Sequence, residues 1–263
     1  MSVREQLARA PVAEAVGIVD AWGARISRAG DQPWTVKIVL EAWRLAHGEM
    51  RNVQLSLYQE GTFEDLKAMR GLIKPFDVFR VRVQVLEAEA TSPQVGWLVE
   101  VIGEDKSDSE LNVLAKAFRE PVSYRDDTLG TFLLDRRLSR FEGDARWNGH
   151  PVRLTLGVGK DQNAEPAAAV AHQLWNSSAL WNERVYEFAV RHFRKLKNER
   201  WLQTDEPEVA EGSFRERLKL QSIEVRTNGK FEFWFDDDDL FWGHAIRISG
   251  NLTEGPVSAG LEG

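Results

Sequence analysis

From Phe79 to Val85 the chain alternates without a break, with Phe79, Val81, Val83 and Val85 separated by Arg80, Arg82 and Gln84. A period of two sends successive side chains to opposite faces, so this run predicts a strand with one face in a core and one in water. The same period returns in Trp34, Val36, Ile38 and Leu40 against Thr35, Lys37, Val39 and Glu41, and in Val53, Leu55 and Leu57 against Asn52, Gln54 and Ser56. Val16 to Ile26 reads as a first strand after a short amphipathic opening, and Gly96 to Ile102 as a last one beyond a turn at Ser92-Pro93. A helix, Phe63 to Leu72, is capped by Thr62 and stopped before Pro75, which lacks the amide needed to continue it. The order strand, strand, strand, helix, strand, strand predicts a five-stranded barrel of the oligonucleotide/oligosaccharide-binding (OB) kind over residues 1–120.

The acidic stretch Gly103 to Glu110 and a helix from Leu111 to Phe118 read as a bridge, and Pro121 marks its far side. A second domain is expected over 123–263. Its strands are Thr131 to Asp135, Arg140 to Trp147 and Val152 to Val158, the last two joined by the hairpin dipeptide Asn148-Gly149. Two helices follow, Ala164 to Trp175 and Leu180 to Arg200, the longer with Trp181, Val185, Phe188, Ala189, His192, Phe193 and Leu196 on one stripe. Leu218 to Val225, Phe231 to Phe235 and His244 to Gly250 close the chain as strands. The predicted class is α+β: two small β-rich domains, the first OB-like, the second an antiparallel sheet packed by one or two helices.

Composition removes several function classes. With no cysteine in 263 residues, disulfide, thiolate-metal and cysteine-nucleophile chemistry are excluded. The formal charge of -7 is spread evenly, 15 basic and 18 acidic residues in 1–122 against 19 and 23 in 123–263, so neither half is a basic module and nucleic acid is disfavoured as a partner. No segment has the apolar length of a membrane span or an export signal, so the sequence predicts a cytoplasmic protein with no membrane partner. Phosphate-binding, dinucleotide-binding, nucleophile-elbow, zinc-protease and calcium-loop patterns are absent, and no cofactor is expected. Ten tryptophans point to aromatic surfaces of the kind used in protein recognition.

One segment concentrates chemistry. In Phe231 to His244, FEFWFDDDDLFWGH, the carboxylates Asp236, Asp237, Asp238 and Asp239 follow an aromatic strand and precede Trp242 and His244. Carboxylates with an imidazole suit a divalent cation or a general acid/base pair, with Asp237, Asp239 and His244 as the ligands. The plainer reading, which is favoured, is an acidic turn between antiparallel strands. In that turn the four carboxylates are alike, so Asn at 237 or 239 is expected to be neutral or slightly stabilising, while His244 packs on Trp242. The other histidines carry less. His172 and His192 read as core residues of the two helices, and His150 and His47 as solvated. Arg136, Arg137, Arg140, Arg146 and Arg153 interleave with Asp135, Glu142 and Asp144, the pattern of a salt-bridged sheet face.

The stretch from Phe235 to Gly263, FDDDDLFWGHAIRISGNLTEGPVSAGLEG, resembles the C-terminal signature of a bacterial family of domains of unknown function, and Leu129 to Leu154 resembles that family's opening hairpin. The resemblance covers most of the second domain and little of the first. Asp238 stands where the family commonly has Gly, which suggests a turn position, and Ala245 where it commonly has Ser, which removes a hydroxyl near His244. The resemblance implies a bacterial intracellular protein and assigns no activity. Such domains occur beside toxin systems as immunity or accessory proteins, which implies a role in binding a partner. Three functions are consistent with these residues. The first is a non-enzymatic protein-binding or accessory factor, of which an immunity-like protein is one kind, that meets a basic protein through Asp236, Asp237, Asp239, Trp242 and His244. The second is a metal-dependent hydrolase using the Asp236–His244 segment. The third is single-stranded nucleic-acid binding by the first domain, through Arg80 and Arg82 beside Trp22, Trp34 or Tyr58.

Overall fold

The computed structural model describes residues 3–46, 48–86, 94–159 and 162–263; His47 and the Ser92-Pro93 turn lie outside them. The chain divides into two compact units, Met1–Pro121 and Val122–Gly263, both β-rich, and the α+β class expected from the sequence is the observed one.

The first unit runs α1 (Val3–Arg9), β1 (Val12–Val19), β2 (Arg25–Ser27), β3 (Trp34–Leu45), β4 (Leu55–Gly61), α2 (Phe63–Leu72), β5 (Val78–Val85), β6 (Gln94–Glu104) and α3 (Ser109–Arg119). The six strands form one sheet, β1-β5-β6-β4-β3-β2, in which β1 also bonds to β3 and β4 runs parallel to β6. The alternating residues point inward as their period requires: Val36, Ile38, Leu40, Leu55, Leu57, Val81 and Val83 pack with Leu66 of α2. Gly17 sits where β1 meets β3, and a Cβ there would lie 2.8 Å from both Leu40 and Trp43.

Two expectations change in this unit. The strand from Val16 to Ile26 is two strands, parted by a turn in which the Asp20 carboxylate accepts the Trp22 amide and Gly23 takes a left-handed φ of 67°. The helix expected as a bridge packs on this unit, with Leu111 and Ala115 against Val16, Ile18, Ala42 and Val78. That explains why β1 shows an apolar run in place of alternation, since a strand covered on both faces has no wet side. The acidic stretch before α3 is likewise tied down, because Asp105 pairs with Arg80 at 2.6 Å and Asp108 caps the helix while pairing with Arg44.

The second unit runs β7 (Ser123–Asp126), β8 (Gly130–Asp135), β9 (Arg140–Trp147), β10 (His150–Gly157), α4 (Glu165–Asn176), α5 (Ser178–Arg200), α6 (Glu211–Arg217), β11 (Lys219–Val225), β12 (Lys230–Asp236), β13 (Ala245–Asn251) and β14 (Gly255–Glu262). These eight strands lie in sequential order. The sheet is not wholly antiparallel as expected, because β10 and β11 are parallel. A parallel pair needs a crossover long enough to return the chain to the same end, and α4, α5 and α6 supply it. Three helices thus cover one face, where Phe132, Phe141, Leu154, Phe231, Phe233 and Ile248 meet Ala167, Leu174, Val185 and Phe193. The opposite face carries ion pairs, across strands from Arg153 to Glu142, Arg140 to Glu224, Arg226 to Glu232, and Arg247 to Glu232 and Glu262, and locally from Arg140 to Glu142 and Arg226 to Glu224. Such solvent-accessible pairs neutralise each other and contribute about 0–1 kcal/mol apiece.

Candidate functional site

The acidic segment is the connection between β12 and β13, and its backbone is fixed by its own side chains. Phe231, Phe233 and Phe235 all point into the core, and the same parity carries Asp237 inward, where it is 2 % exposed. Its two oxygens are both engaged: Oδ1 accepts the Asp239 amide at 3.2 Å and Oδ2 accepts the Phe241 amide. Asp236 accepts the Asp238 amide at 2.8 Å in a second turn of the same kind. Asp238, Asp239 and Trp242 have left-handed φ values of 45°, 61° and 60°, which Asp tolerates better than branched residues do. The φ at Asp238 is one that Gly would adopt without strain.

The four carboxylates are therefore not alike. Asp237 is a buried capping group, while Asp236, Asp238 and Asp239 are exposed. The three exposed residues line an open depression of about 440 Å³ with Gln221, Trp234 and His244. His244 is half-buried, and its Nδ1 lies 2.6 Å from the Phe241 carbonyl. A carbonyl only accepts, so Nδ1 carries the proton and donates, leaving Nε2 as the uncommitted ring atom. Its aromatic neighbour is Trp201, edge to face at 5.4 Å, where the sequence suggested Trp242.

The sequence did not point to the residues that hold this loop in place. Trp201, just past α5, packs against Phe241, Trp242 and His244 together. Lys197, buried at 1 % exposure, donates to the Trp201 carbonyl at 2.9 Å and pairs with Glu206 at 2.7 Å. That hydrogen bond holds the Glu206 carboxyl below the usual carboxylate range. Arg217 donates to the Asp238 carbonyl at 2.6 Å. One signal was available: Lys197 follows Phe193 by four residues on the apolar stripe of α5, an unusual place for an ammonium.

Chemically, the loop presents three exposed carboxylates, of which Asp236 accepts the Asp238 amide and Asp238 lies 3.7 Å from the Arg217 guanidinium, and the loop's Trp242 is 57 % exposed. Asp237, Asp239 and His244 do not converge as ligands, and among the described residues no three acidic, histidine or cysteine side chains are placed to hold a metal ion. The remaining histidines sit apart. His172 bonds Asp126 at 2.8 Å, and His192, expected in the core, is exposed and stacks on Phe188. In the first unit Arg80 and Arg82 are both paired with carboxylates, Glu14 serving each. Trp34 packs on Phe63, Trp22 lies under Arg25, and Tyr58 lies under Lys37 and in register with Trp97.

Among the described residues no helix is long and apolar enough to cross a membrane. A search of curated proteins finds no match to the chain. Residues 4–118 match the model of a domain of unknown function, DUF7021. The model described as an uncharacterized protein conserved in bacteria, DUF2262, matches residues 126–261, and the chain belongs to that family.

Proposed function

We propose that the protein is a non-enzymatic, cytoplasmic protein-binding or accessory factor, of the immunity-like kind, whose second unit engages a basic segment of a partner through the β12–β13 loop. The observation that carries the reading is the division of labour among the four carboxylates. Asp237 is buried in fixing the loop, while Asp236, Asp238 and Asp239 are exposed around one depression, Asp238 at 3.7 Å from Arg217, and Trp242 of the same loop is exposed. Charges held on a pre-organised backbone lose little entropy on binding, and an exposed Trp in the same loop is a common kind of anchor in recognition surfaces. The hydrolase reading is weaker, because its three ligands do not meet. Selection from a random peptide library tests the proposal. Enrichment of Lys- and Arg-containing peptides that is lost in Asp238→Asn/Asp239→Asn and in Trp242→Ala is expected. No enrichment, or enrichment that survives both variants, refutes it.

For the first unit we infer an OB-like barrel. The pairings β1-β5-β6-β4-β3-β1 return on themselves, and α2 falls between β4 and β5. Nucleic acid remains the second reading, moved from Arg80 and Arg82 to the outward row Lys37, Tyr58 and Trp97. A labelled oligothymidine whose anisotropy rises at low salt in the parent and not in Tyr58→Ala supports it; no rise refutes it.

A further inference from the structure

Where β10 and β11 run side by side, their parallel ladder begins only at Arg153 and Ser222. Before that point His150 to Val152 pair with β9, and Lys219 and Leu220 with β12. The unjoined strand ends border a crevice of about 520 Å³, within the roughly 300–1,000 Å³ typical of small-ligand sites. Val152, Leu218, Leu220 and the Tyr186 ring give it apolar walls. Arg215 caps Tyr186, with its guanidinium 5.2 Å from the ring centre, and is neutralised by Glu183.

The polar groups in the crevice are biased toward donors. The Asn182 Oδ1 accepts the Trp147 indole N–H at 3.0 Å, so the other end of that amide is its NH₂, which has no partner among the described residues. Lys219 directs one ammonium hydrogen to the Glu216 carbonyl and keeps two. The His150 side chain is exposed and has no hydrogen-bond partner among the described residues. The opposing charge is Glu216, exposed at the rim.

We propose that this crevice binds a small organic acid with an aromatic or branched aliphatic body. The body lies against Val152, Leu218, Leu220 and Tyr186, and the carboxylate meets the Asn182 amide and the Lys219 ammonium. Nothing in this site is shared with the β12–β13 loop. Calorimetric titration of the full chain with phenylacetate, 4-methylpentanoate and phenethylamine tests it. Saturable binding of at least one acid, and none of the amine, is expected. Asn182→Asp keeps an acceptor for Trp147 while replacing the donor by a like charge, and about a tenfold loss of acid affinity follows. Lys219→Gln weakens the acid and Glu216→Gln tightens it, both at exposed positions. The proposal is overturned if neither acid binds saturably, if the amine binds as well as the acids, or if acid binding is unchanged in both Asn182→Asp and Lys219→Gln.

Discussion

Replacing Asp237 by Asn removes one negative charge from a run of four and leaves the shape of the side chain intact. Two effects oppose each other. Relief of repulsion is worth at most about 1 kcal/mol, because Asp236, Asp238 and Asp239 are exposed and water screens them. Against it, the Asn amide has one acceptor oxygen where the carboxylate has two, and both backbone amides, of Asp239 and Phe241, need one. One donor is left facing an NH₂ group, and the Phe241 amide lies among residues that are fully buried. An unsatisfied buried donor costs about 1–3 kcal/mol, and bonds to a charged acceptor are worth about 1.5–3 kcal/mol each, so the loss wins. Net destabilisation of about 1–3 kcal/mol is expected, or about 3–10 °C in the transition of the second unit. Asp239→Asn, at an exposed position with a left-handed φ that Asn accepts, should stay within about 0.5 kcal/mol of the parent. Calorimetric melting of the parent and both variants decides it. If Asp237→Asn melts within 1 °C of the parent, or loses no more than Asp239→Asn, the assignment of Asp237 as the loop's capping group is wrong.

Lys197→Met should cost about 1–3 kcal/mol in urea unfolding, because Trp201 loses its tether and Glu206 its partner, and should red-shift tryptophan emission as Trp201 loosens; unchanged stability and emission would show the tether to be idle. Burial pushes Asp20 up to about 6, against the opposing pull of Arg25. Its folded state therefore favours the proton, so the associated stability is present below pH ~4 and is lost as pH rises through 6. The parent should lose about 2–3 kcal/mol more than Asp20→Asn between pH 4 and 7, and parallel stability profiles would refute the shift. Limited trypsin digestion should cut near Arg119, where α3 ends ahead of the second unit, and spare Lys106, whose neighbours Asp105 and Ser107 are locked by hydrogen bonds. Early cleavage at Lys106 would mean that the acidic stretch is the hinge after all.

What the sequence made legible follows from where each signal is written. Strands with one wet face announce themselves by alternation, and β3, β5 and β12 do so because Lys37, Arg82 and Glu232 interrupt their buried residues. The same parity, continued two residues past Phe235, places Asp237 inside. The acidic run read as four equivalent charges because composition masked a pattern that was still in register. Elements whose stability comes from a neighbour leave no such mark. β14 contains Pro, Ser, Ala and two glycines, and exists because β13 offers it a ladder; β7 is four residues long and depends on β8. The supports of the candidate site are of this second sort. Arg217 and Trp201 reach the loop from 21 and 41 residues upstream, and Glu206 acts on it through Lys197, along a crossover that the parallel pairing of β10 and β11 makes necessary. A reading confined to FEFWFDDDDLFWGH finds the charges that a partner would meet, but the residues that hold those charges still belong to the other side of the sheet's topology. Double variants across that distance give the idea a measurable form. Lys197→Met should couple to Trp242→Ala by at least about 0.5 kcal/mol, since both act on the Trp201 ring, and should add independently to Asp20→Asn in the first unit.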